Sequence, residues 1–282
     1  MQGMKCIAVR SAWLLSAFVA APFAHAQEET PAPVGDAQVT KALLDAEATG
    51  RAIYLHDQAA AVASDAVTGI ESFREDGKRG RLGGWITEQR EEGLVVTFVS
   101  SEPVPRARYR ATVSADGRVV GDAVALAEPA ALTEYQLRAA HARTTASTAT
   151  FEPCSRTYNT VVLPAANDAS GWNVYLLPGT TQHGVVPIGG SYRVDIDASG
   201  ENIIKQRPFT RTCIALERPP EDKARETVAL VITHLLDPTP TEVHVFWSLW
   251  ARTPLYVATS EGNWLIEAGS ISLVSRREAS TK

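Results

Sequence analysis

The chain has 282 residues and a formal net charge of −5, from 27 basic and 32 acidic side chains. This acidic balance, with arginines scattered along the chain, argues against nucleic acid or an anionic membrane surface as the partner. No apolar run after residue 26 approaches 18 residues, so we expect no membrane span in the mature chain.

The first 26 residues have the parts of a secretory signal. Lys5 and Arg10 give a basic start, an apolar stretch follows, and residues 24–26 (Ala-His-Ala) fit the A-x-A cleavage pattern. We therefore predict a signal peptide over 1–26 and a periplasmic or secreted protein that begins at Gln27. Cleavage removes two basic and no acidic residues, which changes the net charge to −7. The alternative is a short N-terminal membrane anchor.

Two cysteines remain after this cleavage, Cys154 and Cys213. A pair of cysteines in an exported chain predicts one disulfide. A redox pair or two metal thiolates are the alternatives, but the chain has no C-x-x-C motif that would favour either.

The N-terminal part of the mature chain begins with a proline-containing lead-in, predicted to be disordered over 27–36. The alanine-rich run 39–67 predicts one long helix with a weak point at Gly50, or two helices. The charged, glycine-containing segment 71–80 predicts a loop.

Two hairpins and a helix are expected next. Apolar runs on both sides of residues 90–93 predict the first hairpin, and the Asp116-Gly117 turn predicts the second. Thr133 and Gln136 have the spacing of a capping box, which predicts the start of a helix. The small, polar segment 143–150 is predicted to link an N-terminal lobe over 37–146 to a β-rich C-terminal lobe over 151–275.

The C-terminal lobe is predicted to be an antiparallel sheet or β-sandwich, followed by a polar tail over 276–282. Residues 172–177 and the alternating segment 192–196 predict strands. The apolar runs 228–236 and 243–250, separated by the proline-containing loop 237–241, predict a hairpin. The predicted fold class is therefore α+β, with an N-terminal helix, antiparallel hairpins and one disulfide.

Four residues are candidate metal ligands. In the predicted 228–249 hairpin, His234 and His244 face each other on one side, where two imidazoles could share a metal with Asp237 or His183. The alternative is structural, because His234 alternates with apolar residues and so fits a hydrogen-bonded core position. His244 then lies on the solvent-facing side of the strand.

Other polar and aromatic residues are candidates for ligand binding. Trp250 beside Arg252 is a candidate exposed aromatic, and Arg207 and Arg211 are placed to bind an acidic ligand or to form surface ion pairs. The sequence contains none of the standard nucleophile, phosphate-loop, zinc-protease or dinucleotide motifs, and no cofactor is predicted.

These features favour an exported, non-catalytic envelope protein, a binding or accessory module. Its partner would be a protein or small-molecule ligand of the cell envelope that the sequence does not identify. The alternative function is a metal-dependent hydrolase with its site on the 228–249 hairpin.

Overall fold

A computed structural model describes residues 36–165, 171–180, 182–218 and 229–276. The predicted signal peptide and nearly all of the predicted lead-in and tail lie outside these ranges. The described residues form four helices and several mainly antiparallel sheets, which confirms the predicted α+β class. The first half of the chain contains α1 (Asp36–Thr68), α2 (Glu71–Lys78), β1 (Leu82–Arg90), β2 (Gly93–Ser100), β3 (Ala107–Val113), β4 (Val119–Ala130) and α3 (Glu134–Ala146).

Three four-stranded sheets and one two-stranded ladder are present in the described ranges, with strand orders β1-β2-β3-β4, β5-β6-β8-β9, β11-β12-β13-β14 and β7-β10. We call the four-stranded sheets the first, second and third. The remaining elements are β5 (Tyr158–Pro164), β6 (Trp172–Pro178), β7 (Val185–Val186), β8 (Tyr192–Ile196), β9 (Ile203–Pro208), β10 (Leu216–Glu217), β11 (Leu230–Thr233), α4 (Glu242–Ala251), β12 (Leu255–Ala258), β13 (Gly262–Glu267) and β14 (Ser270–Arg276).

The first sheet contains both predicted hairpins, β1–β2 and β3–β4. Gly93 and Gly117 adopt φ values of +135° and +78°, which glycine reaches without the penalty that other residues incur. One face of the sheet packs on Ala63 and Val67 of α1. The alanines of α1 allow the helix to approach this apolar face closely.

Residues 71–78 form helix α2, so the prediction of a loop over this charged segment was wrong. The reason is a contact with the first sheet that charge composition does not indicate. Phe73 packs edge-on against Phe98 and Tyr109, with ring centroids 5.2 and 5.1 Å apart. Asp76 accepts hydrogen bonds from the Tyr109 hydroxyl at 2.7 Å and from Arg108 Nε at 2.9 Å.

Helix α1 runs unbroken through Gly50, which is a point of close approach and not a weak point. A Cβ atom at this position would lie 2.5 Å from Val245 Cβ and 2.6 Å from the Glu242 carbonyl oxygen, both in α4. The absence of a side chain therefore allows α1 and α4 to cross at short distance.

Helix α3 begins at the predicted capping box, in which Thr133 and Gln136 each bond the other's backbone N–H. The helix extends to Ala146, so it includes the first part of the segment predicted as a linker. Its buried alanines pack between Ile86 and Val99 of the first sheet and Val174 of the second. A single alanine-rich helix is thus shared by two sheets.

The second sheet is covered on both faces. One face meets α3, and the other contributes Val161, Tyr175 and Leu177 to a core shared with α4 and the third sheet. The disulfide between Cys154 and Cys213, with Cα atoms 5.3 Å apart, joins the chain before β5 to the chain after β9 and confirms the predicted pairing.

Residues 242–251 form helix α4, so the predicted 228–249 hairpin was wrong. Strand β11 pairs in parallel with β12, and α4 is the crossover between them. The run from Val243 to Ser248 is buried at every position. A helix that is apolar on all sides shows no helical period, and its alternating valines then resemble those of a strand.

The beginning of α1 lies against β14. Arg276 forms an ion pair with Asp36, with Nη2 3.0 Å from Oδ1. The backbone N–H of Ile271 donates to Glu47 Oε1, and Arg51 donates to the Ser270 hydroxyl. None of the four described helices is both long and apolar enough to cross a membrane.

Candidate functional site

Three of the four predicted metal-ligand residues, His234, Asp237 and His244, come together where β11 ends and α4 begins. His234 Nε2 lies 2.9 Å from Asp237 Oδ2, and the rings of His234 and His244 meet edge-on with centroids 4.6 Å apart. His234 and His244 are 2% and 1% exposed. The two rings meet because the loop after β11 leads directly into α4. They do not face each other across a pair of strands, as the sequence predicted. His244 is therefore buried, contrary to the prediction of a solvent-facing position.

His244 is held as a neutral imidazole. Its Nδ1 accepts the backbone N–H of Thr241 at 3.0 Å, so the ring proton is on Nε2. Burial, reinforced by the charge of the neighbouring His234, lowers the pKa of His244 to about 3. This imidazole occupies the place in a capping box that Glu or Gln usually holds.

The remaining candidate ligand, His183, lies in an exposed turn before β7. Among the described residues, no group of three or more His, Cys, Asp or Glu side chains is arranged to hold a metal ion. The hydrogen bonds give a physical reason: His234 Nε2 faces Asp237, and His244 Nδ1 faces Thr241. Metal binding through His244 would require its ring to give up the Thr241 N–H, because a neutral ring that accepts at Nδ1 carries its proton on Nε2. Asp237, the carboxylate nearest to both rings, is already shared by His234 and Arg207.

Asp237 also lines an open cleft of about 750 Å³, which we call the Asp237 cleft. Its walls come from α1, from strands β6, β8 and β9 of the second sheet, and from the loop that leads into α4. The charged and aromatic residues that line it are Asp45, Trp172, Tyr175, Arg193, Asp195, Arg207, Asp237 and Glu242.

A four-residue network forms one wall of the cleft. Glu242 Oε1 accepts from the Tyr175 hydroxyl at 3.2 Å and from Arg193 Nη1 at 3.1 Å. Arg193 Nε donates to Asp195 Oδ1 at 2.8 Å. Burial and the nearby Glu242 charge raise the pKa of Tyr175 well above its usual value, so its hydroxyl remains a donor. Glu242 is also placed in the first turn of α4, where the helix dipole favours a negative charge.

A second network holds Asp237. Arg207 Nη2 donates to Asp237 Oδ2 at 2.7 Å, and the Arg207 guanidinium lies 4.4 Å from the centroid of the Phe209 ring. Burial alone would raise the pKa of Asp237, but the His234 hydrogen bond and the Arg207 charge outweigh it and lower that pKa. Asp237 is therefore ionised at neutral pH.

The structure separates the four residues predicted to bind a ligand. Arg207 lines the cleft, but it is already paired with a carboxylate. Trp250 is half-buried and packs edge-on against Trp247, while Arg252 is exposed at the end of α4. Arg211 is exposed near the disulfide.

Sequence reasoning missed Tyr175, Arg193 and Asp195 as site residues. The alternation of Arg193 and Asp195 with apolar residues in β8 indicated a polar face, but gave no sign of what it met. Arg193 and Glu242 are 49 residues apart, and their contact depends on α4 being a helix. No protein-family model matches the chain, and neither the curated proteins nor the solved structures contain a significant match to it.

Proposed function

We propose that the protein is an exported, non-catalytic binding module of the cell envelope, and that its ligand binds in the Asp237 cleft. The observation that carries this proposal is a wall of charged side chains that are already fixed by one another. Glu242, Arg193 and Asp195 hold one another in place through hydrogen bonds, so little rotamer entropy is lost when a ligand binds. The disulfide is compatible with this location.

The charge of the cleft favours a ligand that carries a cationic group. Four carboxylates line it, from Asp45, Asp195, Asp237 and Glu242, against the two guanidinium groups of Arg193 and Arg207. Both arginines are paired with carboxylates of the same cleft, and Lys41 of the preceding turn of α1 pairs with Asp45, so one negative charge is left in excess. A cleft lined by an excess of one sign concentrates ligands of the opposite sign.

Calorimetric titration of the mature protein tests this proposal. We expect the dipeptide Lys-Lys amide to bind saturably and glutarate not to bind. Asp45→Asn should weaken binding of the dipeptide by about two- to threefold, because an exposed charge contributes weakly. Asp65→Asn is the matched control, since this exposed carboxylate lies on the same helix and does not line the cleft.

The opposite preference, for glutarate over the dipeptide, would overturn the assignment of ligand charge.

The alternative function, a metal-dependent hydrolase, is supported by the contact of His234, His244 and Asp237. Elemental analysis of protein purified without chelator distinguishes the two. Stoichiometric zinc that is lost in both His234→Ala and His244→Ala would replace the binding module with the hydrolase.

A further inference from the structure

Arg143, in the last turn of α3, is a half-buried arginine without a carboxylate partner among the described residues. Its guanidinium carbon lies 4.1 Å from the centroid of the Trp85 ring. Its one hydrogen bond within the described ranges runs from Nη1 to the Trp85 carbonyl oxygen and is long, at 3.4 Å. A guanidinium has five N–H donors, so most of its capacity is unused.

Three other half-buried arginines of this protein are paired with carboxylates, whereas Arg110, also half-buried, has a buried Nε without a hydrogen-bond partner among the described residues. Arg108 contacts Asp76, Arg193 contacts Asp195 and Glu242, and Arg207 contacts Asp237. Burial without such a carboxylate lowers the pKa of Arg143 to about 10, so it remains charged at neutral pH. A buried cation without a counter-charge is costly, and an anionic ligand would relieve that cost.

Strand β1 is shaped to accommodate this guanidinium. Gly84 adopts a φ of +126°, and a Cβ atom there would lie 2.7 Å from Arg143 Nε and 2.9 Å from its Cζ. The guanidinium therefore lies against bare backbone on one side and against the Trp85 ring on another. These contacts fix its plane, as two-point recognition of a carboxylate requires.

Arg143 lines a cavity of about 570 Å³ between α3 and the adjoining ends of β1 and β2, which we call the Arg143 cavity. This volume is within the range of small-molecule sites, about 300–1,000 Å³. The apolar part of its wall is formed by Val99, Pro103, Pro105 and Ala140. An apolar ligand body would find contacts there.

The hydroxyl groups of the cavity wall are already committed as donors. Ser100 donates to Glu102, and Ser101 donates to the Gly80 carbonyl oxygen. The two threonines of the wall, Thr144 and Thr145, donate to the carbonyl oxygens of Ala140 and Gly200. Together with the His141 imidazole, the Arg143 guanidinium is thus the group on this wall with donors to spare, and it has more of them.

Two exposed carboxylates on the same wall restrict the ligand charge. Glu102 accepts the Ser100 hydroxyl, and Glu201 lies 3.9 Å from His141 Nδ1. Their negative charge opposes a dianion such as hydrogen phosphate more strongly than a monoanion. We propose that the Arg143 cavity binds a small monocarboxylate with an apolar body, whose two carboxylate oxygens accept from the Arg143 guanidinium.

Benzoate is a suitable probe, with benzamide as the uncharged analogue and phosphate as the dianion. In calorimetric titration of the mature protein, we expect benzoate to bind at least about tenfold more tightly than either. Arg143→Gln should reduce benzoate affinity by about tenfold or more. Arg143→Lys should reduce it less, because lysine keeps the positive charge but cannot donate two parallel hydrogen bonds to one carboxylate. Arg138→Gln, an exposed position on the same helix, is the matched control and should have no effect.

Glu102→Gln separates binding from a purely structural role of Arg143. Glu102 is exposed, so its replacement should leave the fold intact and strengthen benzoate binding by about two- to threefold. Equal affinity for benzoate and benzamide, or benzoate affinity unchanged in Arg143→Gln, would overturn the proposal. Neither result depends on the Asp237 cleft, which is tested with cationic probes and with Asp45→Asn.

Discussion

His244 shows how one imidazole can hold a structure only while it is uncharged. Its Nδ1 accepts the Thr241 N–H at the start of α4, and its Nε2 proton points away from that bond. Protonation of Nδ1 would place two donors against each other, next to His234 and the Arg207 charge. The nearby Asp237 carboxylate offsets this only in part, because it is shared with both neighbours.

His244 should make the stability of the protein sensitive to acid. The unfolded chain binds a proton at His244 near pH 6.5, whereas in the folded chain the pKa of His244 is about 3. The free energy of unfolding should therefore fall as pH decreases below 6.5, by about 2 kcal/mol at pH 5 from this residue. Urea unfolding between pH 7 and 5 measures this loss.

His244→Asn should remove that part of the pH dependence, because the amide oxygen can accept the Thr241 N–H without titrating. Burial also lowers the pKa of His56, so a smaller slope of the same sign should remain in the variant. The native protein, measured over the same pH range, is the reference. An unchanged slope in His244→Asn would show that His244 is protonated in the folded protein at pH 5.

At the scale of elements, the crossing of α1 and α4 limits what can stand at position 50. Gly50→Ala gains about 1 kcal/mol in helix propensity, but its methyl group overlaps Val245 and the Glu242 carbonyl oxygen. We expect a net loss of about 1–3 kcal/mol in the free energy of unfolding, the range typical of overpacking. Denaturant unfolding of the purified variant measures it.

Gly77→Ala, in α2, is the matched control. A Cβ there meets only Leu82 Cδ1, at the ordinary contact distance of 3.9 Å. This variant should gain about 0.5–1 kcal/mol from propensity alone. If Gly50→Ala were equally stabilising, the close approach of the two helices would be refuted.

The elements that the sequence predicted correctly have local signals. The Asp116-Gly117 turn and the Thr133–Gln136 capping box each act within a few residues, and both are present in the structure. Helices α2 and α4 were missed because tertiary contacts decide them: Phe73 packs on the first sheet, and α4 is buried on all sides. The Asp237 cleft was only partly foreseen for the same reason, since Glu242 reaches Arg193 only when α4 is helical.

On the scale of the whole molecule, the disulfide closes a loop of about 60 residues around the second sheet. The chain-entropy model gives about 4 kcal/mol as the upper value for such a loop. We expect the paired replacement of Cys154→Ser and Cys213→Ser to lower the free energy of unfolding by about 2–4 kcal/mol. Guanidinium unfolding of the oxidised protein and the variant measures the difference.

Reductant provides the control for this experiment. It should lower the stability of the protein that begins at Gln27 to that of the double variant and leave the variant unchanged, because residues 27–282 contain no other cysteine. Equal stability of oxidised protein and variant would mean that the link contributes nothing to the unfolding equilibrium.

The ion pair between Asp36 and Arg276 brings the first described residue within bonding distance of the last. Residues 36 and 276 are therefore close in space, and a short linker could join them without crossing the molecule. A circular permutant, opened at the exposed Asp116-Gly117 turn and joined across 276 and 36, would keep every strand pair of the three sheets. Two proteins fused directly to residues 36 and 276 would emerge side by side.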